Sequence, residues 1–364
     1  ADRRTMGMRC LVQAREPDRP QTFVPPHWAR VFASDDELPN RHHGLRQTNF
    51  WWIELGGEDD SIHDSESLRD ELLKITFGVW DHIKNHGDHE AGNWVLDWVG
   101  FLPGKRESRR YVGDHTLTQG DVRAEGRFAD LVAYGGWSMD DHHPAGFRHP
   151  GQPTVFHPAP SPFGIPYRSL YSRNIDNLFF AGRNISATHA AMSATRVMAT
   201  CGTMGQAIGT AAALAVAEGC DPRGIQEHHI EELQRQLMDD DCYLPWQARP
   251  IPALSADAHL TASTGAATEA LLNGIDRSLE EADNGITIPL DGWLMYEWDQ
   301  AVDLGQARLT LDSNLTREPR HHQRCAYPLD ATPRCVPEIL IKAFRIEARA
   351  TADGAWQTDF QCPD

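Results

Sequence analysis

The sequence predicts an α/β chain followed by an incomplete β-sandwich. Three observations carry that reading. Leu68, Leu72, Ile75, Val79 and Ile83 recur at helical spacing, residues 177–217 pass from an apolar strand into a long small-residue helix, and the pattern after Ala253 turns to alternation. With 364 residues the chain has length for two or three cores.

The elements follow in order. Residues 1–60 read as strands and loops, and Phe50-Trp51-Trp52-Ile53-Glu54-Leu55 is a predicted strand closed by Gly56-Gly57. Asp64 or Ser65 caps the helix of the Leu68 stripe, and Gly87 ends it. Residues 93–170 alternate short strands with loops, and the prolines from Pro144 to Pro166 mark a long irregular surface segment. Asn177 to Gly182 is a predicted buried strand. A polar loop to about Arg196 then leads into a helix ending near Gly219, and a second helix spans roughly Ile225 to Met238. Pro245 to Pro252 reads as a linker. Beyond it Leu309/Leu311 and Phe344 to Arg349 alternate, and Asp353-Gly354 is a hairpin turn with Trp356 on the returning strand.

Composition removes several classes. A net charge of −18 repels phosphate backbones and anionic lipid, so nucleic acid and membrane surfaces are poor partners. No apolar run reaches the length of a membrane span. The seven cysteines form no Cys-x-x-Cys pair, which argues against an iron–sulfur cluster or zinc knuckle in this stretch; Cys325 and Cys335 suit either a bridge or free thiols. No Gly-x-Ser-x-Gly elbow supports a serine hydrolase. Both ends read as truncations, Ala1 to Arg9 lacking the apolar core of a signal peptide, so the compartment stays unread.

The chemistry concentrates in residues 177–217. The strand delivers Gly182 to its C-terminal edge, where ligands sit in open α/β sheets. In the next helix Gly202, Gly205, Gly209, Ala212, Ala213 and Val216 share one side, a pattern suited to close approach by a neighbouring strand or a flat ring. Its start near Met198 and Ala199 offers unpaired N–H groups and the positive end of the dipole.

The same stretch resembles the C-terminal cofactor signature of the FAD-dependent oxidoreductase family, itself distantly similar to the flavoproteins of fumarate reductase and heterodisulfide reductase. The matching residues are Ala181-Gly182-Arg183, His189, Ser193-Ala194-Thr195-Arg196-Val197 and Gly205-Gln206-Ala207-Ile208-Gly209. Phe50 to Gly57, Gly104 to Arg110 and Tyr134-Gly135-Gly136-Trp137 look similar too, so the resemblance covers about residues 1–245.

The resemblance implies FAD as cofactor and a GR2-type fold. Residues 253–364 separately resemble a truncated galactose-binding-like (discoidin-type) sandwich, in Leu271-Leu272-Asn273-Gly274, Trp293, the Leu309/Leu311 strand and the terminal hairpin; under the flavoprotein resemblance residues 1–170 would form a substrate or cap domain and 171–245 the C-terminal half of the FAD-binding domain. It implies cofactor contacts from Gly182, Arg183, Asn184, Val197, Met198, Ala199, Gly205 and Gln206, with His189 and Arg196 as catalytic candidates. The reaction expected is hydride transfer between flavin N5 and a small organic substrate, with a sugar or glycoside as candidate class. The alternative is a carbohydrate-binding module with a vestigial flavin domain.

The Gly-x-Gly-x-x-Gly fingerprint of that family is absent from the 364 residues, so this chain alone is expected to bind FAD weakly or not at all and to be inactive. No metal ligand set is assigned. Asp140-Asp141-His142-His143 reads as a loop reaching toward the active site, while His42-His43, His228-His229 and His321-His322 read as surface pairs. Arg106, Glu107, Arg109 and Arg110 read as an ion-pair cluster neutralised by Glu107 and Asp114, and Tyr167-Arg168 as a pair near the substrate.

Overall fold

The computed structural model describes residues 4–45, 50–279, 284–312 and 340–362. They form two units, residues 1–246 and 247–364.

The first unit opens with β1 (Met8–Arg9) and β2 (Val12–Arg15), followed by β3 (Glu54–Leu55). The predicted strand from Phe50 is only these last two residues, because Phe50 takes φ +54 and breaks the extended backbone. The helical stripe is realised as α1 (Ser65–Asn85), which buries Leu68, Leu72, Ile75, Val79 and Ile83; Gly87 follows at φ +96. Next come β4 (Val95–Val99) and β5 (Gly104–Lys105). β1 lies between β3 and β5, and β2 pairs with β4, all antiparallel. These strands and α1 enclose one core, containing Met8, Trp52, Ile53, Leu55 and Trp80.

A second core begins with α2 (Gln119–Arg123), held by a capping box between Thr118 and Asp121. It continues through β6 (Leu131–Gly135), β7 (Met139–His142), β8 (Thr154–His157) and β9 (Phe163–Pro166). β6 pairs with β9 and β7 with β8. The proline-rich stretch is therefore not all surface loop: all four residues of β9 are buried, since β6 offers it a ladder and an apolar face.

Residues 177–182 do not form the predicted strand. Only a Tyr171–Phe179 bridge is made, with Ser172 N–H donating to Leu178 O and Phe180 N–H to Leu170 O at 2.9 Å each. No other strand among the described residues lies alongside to extend that ladder.

The polar stretch before Arg196 is not a loop but α3 (His189–Thr195), capped by Thr188, whose hydroxyl accepts from Ala191 N–H. α4 (Met198–Glu218) ends on Gly219 at φ +64, the left-handed C-cap glycine favours. α5 (Pro222–His228) starts with an Asp221 cap and Pro at its first turn, and α6 (Ile230–Asp239) buries Leu233 and Leu237. The single helix expected over 225–238 is thus two, divided at His229. Tyr167 is wholly buried, its hydroxyl donating to Pro222 O, and Arg168 is tied to Asp130; neither stands at an open site.

The second unit contains α7 (Ala253–Ala256), the antiparallel pair β10 (His259–Ala262) and β11 (Leu294–Glu297), and the hairpin β12 (Phe344–Ala348) and β13 (Gln357–Cys362). The Leu309/Leu311 segment is exposed and not a strand. Cys325, Cys335 and His321-His322 lie outside the described residues. No described helix is long and apolar enough to cross a membrane.

Candidate active site

The polar residues of the first unit gather along β7. Strand alternation sends Asp140 and His142 to one face and Asp141 to the other, and α3 packs beside the strand. His189, the first residue of α3, spans two carboxylates. Its Nδ1 lies 2.8 Å from Glu107 Oε2 and its Nε2 2.8 Å from Asp141 Oδ1. A carboxylate only accepts, so both ring nitrogens carry protons and the ring is an imidazolium. The hydrogen bond to Asp141, then that to Glu107, raises its pKa to about 9 against the opposing effect of burial.

The two carboxylates differ. Glu107 is buried, accepts the Met6 N–H at 2.8 Å and pairs with Arg110. Asp141 is 35% exposed. Glu107 is therefore the fixed anchor and Asp141 the partner able to move aside.

On the opposite face of β7, Arg196 Nη2 donates to Asp140 Oδ2 at 2.7 Å and to the Asp140 carbonyl at 3.2 Å. Asp140 also accepts from Thr154 Oγ1 at 2.6 Å and lies 3.3 Å from His142 Nε2. Burial pushes its pKa up, but hydrogen bonds from His142 and Thr154 and the charges of His142 and Arg196 outweigh this and hold it at about 2. His142 Nδ1 in turn reaches Glu54 Oε2 at 2.9 Å, and Arg106 lies against both. The row thus runs from Glu54 on β3, beside the first core, to His189 and Arg196 at the ends of α3, beside the second. Arg106 and Glu107 are ion-paired as expected, but their partners are Glu54, His142, Arg110 and His189; Asp114 is engaged with Arg223 and Tyr171.

Arg196 caps α3, and Val197 at φ −71, ψ 148 turns the chain into α4. No side chain caps α4, whose first N–H groups lack intrahelical acceptors by helix geometry. Met198 is 85% exposed and Ala199 is exposed as well. Beside this start, Thr195 Oγ1 and Arg196 Nε are buried without a partner among the described residues.

One face of α4 packs through Thr200, Met204, Ala207, Ala211 and Leu214. The other bears Gly202, Gly205 and Gly209, and a Cβ added at any of them would meet nothing within 4 Å. Gly182 sits at φ +90 with similar freedom, its nearest neighbour being Asn184 Oδ1 at 3.8 Å. Arg183 is exposed, and it lines an open groove of about 240 Å³ with Arg9, Lys105 and Arg106. Burial raises the Cys201 thiol pKa, and the charge of Arg183 opposes that rise.

The family model for FAD dependent oxidoreductases matches residues 8–237, more than half of the chain. The chain belongs to the FAD dependent oxidoreductase family. No curated protein and no solved structure matches it. As an oxidoreductase of this family it uses FAD and acts on a small-molecule substrate.

The residues present suit a flavin. An uncapped helix start favours an anionic ring edge, an open glycine face admits a flat one, and two unpartnered buried polar atoms lie alongside. Of the residues singled out in the sequence, His189 and Arg196 meet adjacent carboxylates of β7, and Val197, Met198 and Ala199 form the α4 start. Gly205 and Gln206 lie exposed two turns along the same helix, about 10 Å from its start. Sequence reading missed Glu54 altogether. Its signal was a carboxylate inside an aromatic run, a setting in which a charge needs a partner.

Proposed function

We propose that the oxidoreductase transfers a hydride between FAD and a small organic substrate beside β7, with His189 as proton donor and Arg196 as a positive charge at the other end of α3. The observation that carries this is a doubly hydrogen-bonded imidazolium at the start of α3, the helix whose far end leads into the open, uncapped start of α4. Val197, Met198 and Ala199 would hold the pyrimidine edge, Gly182, Arg183 and Asn184 the ribityl–pyrophosphate region, and Gly205 and Gln206 the exposed side of α4. Bound there, FAD supplies the redox chemistry at flavin N5.

The chain's own residues manage charge and protons. Glu107 holds His189 Nδ1 in place, so the Nε2 proton is the one presented. A substrate oxygen that displaces Asp141 receives that hydrogen bond and then the proton as negative charge develops on it. Arg196, held on Asp140 at the other end of α3, would place its guanidinium beside the start of α4, where the anionic edge of the cofactor would lie. The groove of Arg9, Lys105, Arg106 and Arg183 adds positive potential to an otherwise acidic chain, which favours a substrate or cofactor group bearing phosphate or carboxylate.

This reading places residues 1–170 as a substrate or cap domain, 171–245 as the C-terminal half of a GR2-type FAD domain, and 253–364 as part of a galactose-binding-like sandwich. A sugar or glycoside is the substrate class to try first. The kinship would be with the flavoproteins of fumarate reductase and heterodisulfide reductase. The test is anaerobic. Sugars, glycosides and small organic acids are added to the FAD-loaded protein, and bleaching of the flavin absorbance identifies the reductant. The reading fails if His189→Gln bleaches at the parent rate with a substrate that must exchange a proton. Glycan binding in a protein that never takes up FAD would favour the carbohydrate-binding alternative.

A further inference from the structure

We propose that Asp35, His43, His82 and His89 form a structural binding site for one tetrahedral divalent transition-metal ion, zinc being the best match. The four come from separate pieces of chain. Asp35 lies in a short 3-10 turn, His43 in the segment after it, His82 in the last turn of α1 and His89 just beyond Gly87. His43 is thus not a surface residue; its side chain is 11% exposed, His82's 1% and His89's 13%.

The ligand atoms lie within 4.8 Å of one another. Asp35 Oδ1 is 2.9 Å from His82 Nε2 and 3.5 Å from both His43 Nε2 and His89 Nε2, and the Nε2 atoms of His82 and His89 are 3.1 Å apart. A tetrahedral zinc with bonds of about 2.0–2.1 Å has edges of about 3.3 Å between its donor atoms. Four of the six donor pairs lie at 2.9–3.5 Å, near that edge, and all are within 4.8 Å.

The tautomers point the same way. His82 Nδ1 is 2.9 Å from Phe32 O, and His43 Nδ1 is 2.6 Å from Arg41 O. A carbonyl oxygen only accepts, so both Nδ1 atoms carry a proton, and Nε2 is the atom of each ring that can bind a cation once it gives up its own proton. The three Nε2 atoms converge on Asp35 Oδ1, and a cation among them would take the place of the protons they share with it. The backbone bonds on the far side of each ring are the outer contacts that orient histidine ligands. Three imidazoles and one carboxylate leave no open position, which favours a structural over a catalytic ion.

Such an ion ties residues 35–43 to the end of α1. Arg41, within that span, donates to the carbonyls of Gly146, His149 and Gly151 and so extends the tie to the loop joining β7 and β8.

The experiment dialyses the full chain against zinc or cobalt(II) chloride, removes free ion and measures bound metal per chain. One ion is expected, with the intense visible absorption of tetrahedral cobalt(II) and a rise in Tm of about 5–10 °C over chelator-treated protein. Asp35→Asn and His89→Gln, both nearer the surface than His82, should bind at least tenfold more weakly. His228→Ala, remote from the cluster and exposed, should bind as the parent does. Absence of a bound ion in the parent, or uptake undiminished in both variants, overturns the proposal.

Discussion

His189 has both ring nitrogens committed to carboxylates, and its pKa follows from that. The folded value, about 9, exceeds the 6.5 of an unperturbed ring, so this group stabilises the protein fully below pH 6.5 and loses that contribution as pH rises through about 9. The contribution is roughly 2 kcal/mol after allowing for partial solvent screening. Urea midpoints of the parent and His189→Asn should therefore differ most near pH 6 and converge toward pH 10. Glu107→Gln should bring the His189 titration, followed by NMR, back toward 6.5 and shift the alkaline limb of turnover the same way; an unmoved titration would refute the anchoring role. Arg196 makes a separate case. Its removal strands the Asp140 carboxylate in a buried site, and Arg196→Met should cost about 3 kcal/mol in denaturant unfolding. None of these pairings is legible in the sequence, because His189 meets Glu107 and Asp141 across 82 and 48 residues. Spacing along a chain reveals shared faces, not distant neighbours.

At the scale of elements, α1 was readable because five buried apolar residues repeat at its period and a glycine closes it. α3 was not, since a seven-residue His-Ala-Ala-Met-Ser-Ala-Thr helix shows too little period to separate it from a polar loop. The element at 177–182 was misjudged differently: its apolar run is real, but a run becomes a strand only beside a partner. α4 gives the sharpest prediction. Gly202, Gly205 and Gly209 face open space, so alanine at any one should strengthen the ligand-free helix by about 0.5–1 kcal/mol. If the glycines serve a flavin, Gly205→Leu should likewise raise the Tm without FAD yet weaken FAD binding at least tenfold, read by fluorescence titration. Gain of stability with unchanged FAD affinity would remove the cofactor role from this face.

The whole molecule divides its tasks unevenly. The family match, residues 8–237, falls inside the first unit, residues 1–246, as do both large cores and the His189 network. In the second unit Ala262 is the one buried apolar residue among those described, while Leu290, Trp293, Leu309 and Phe360 are exposed. Proline and polar residues from Pro245 to Pro252 interrupt both flanking patterns, and the two units divide after residue 246. Sheet pairing in the second unit was less legible, because alternating residues such as Leu309 and Leu311 fix a face and not the sheet it packs on. Paired strands without a buried apolar face are marginal alone, whereas two enclosed cores sustain cooperative unfolding. Residues 1–246 expressed alone should therefore melt in one transition within about 3 °C of the whole chain. Their FAD affinity should lie within twofold of the parent's, and residues 247–364 alone should show no cooperative transition. Loss of FAD binding on removing the second unit, with the melting transition retained, would mean that residues beyond 246 contribute to the flavin site, and the assignment of cofactor binding to the first unit would fall.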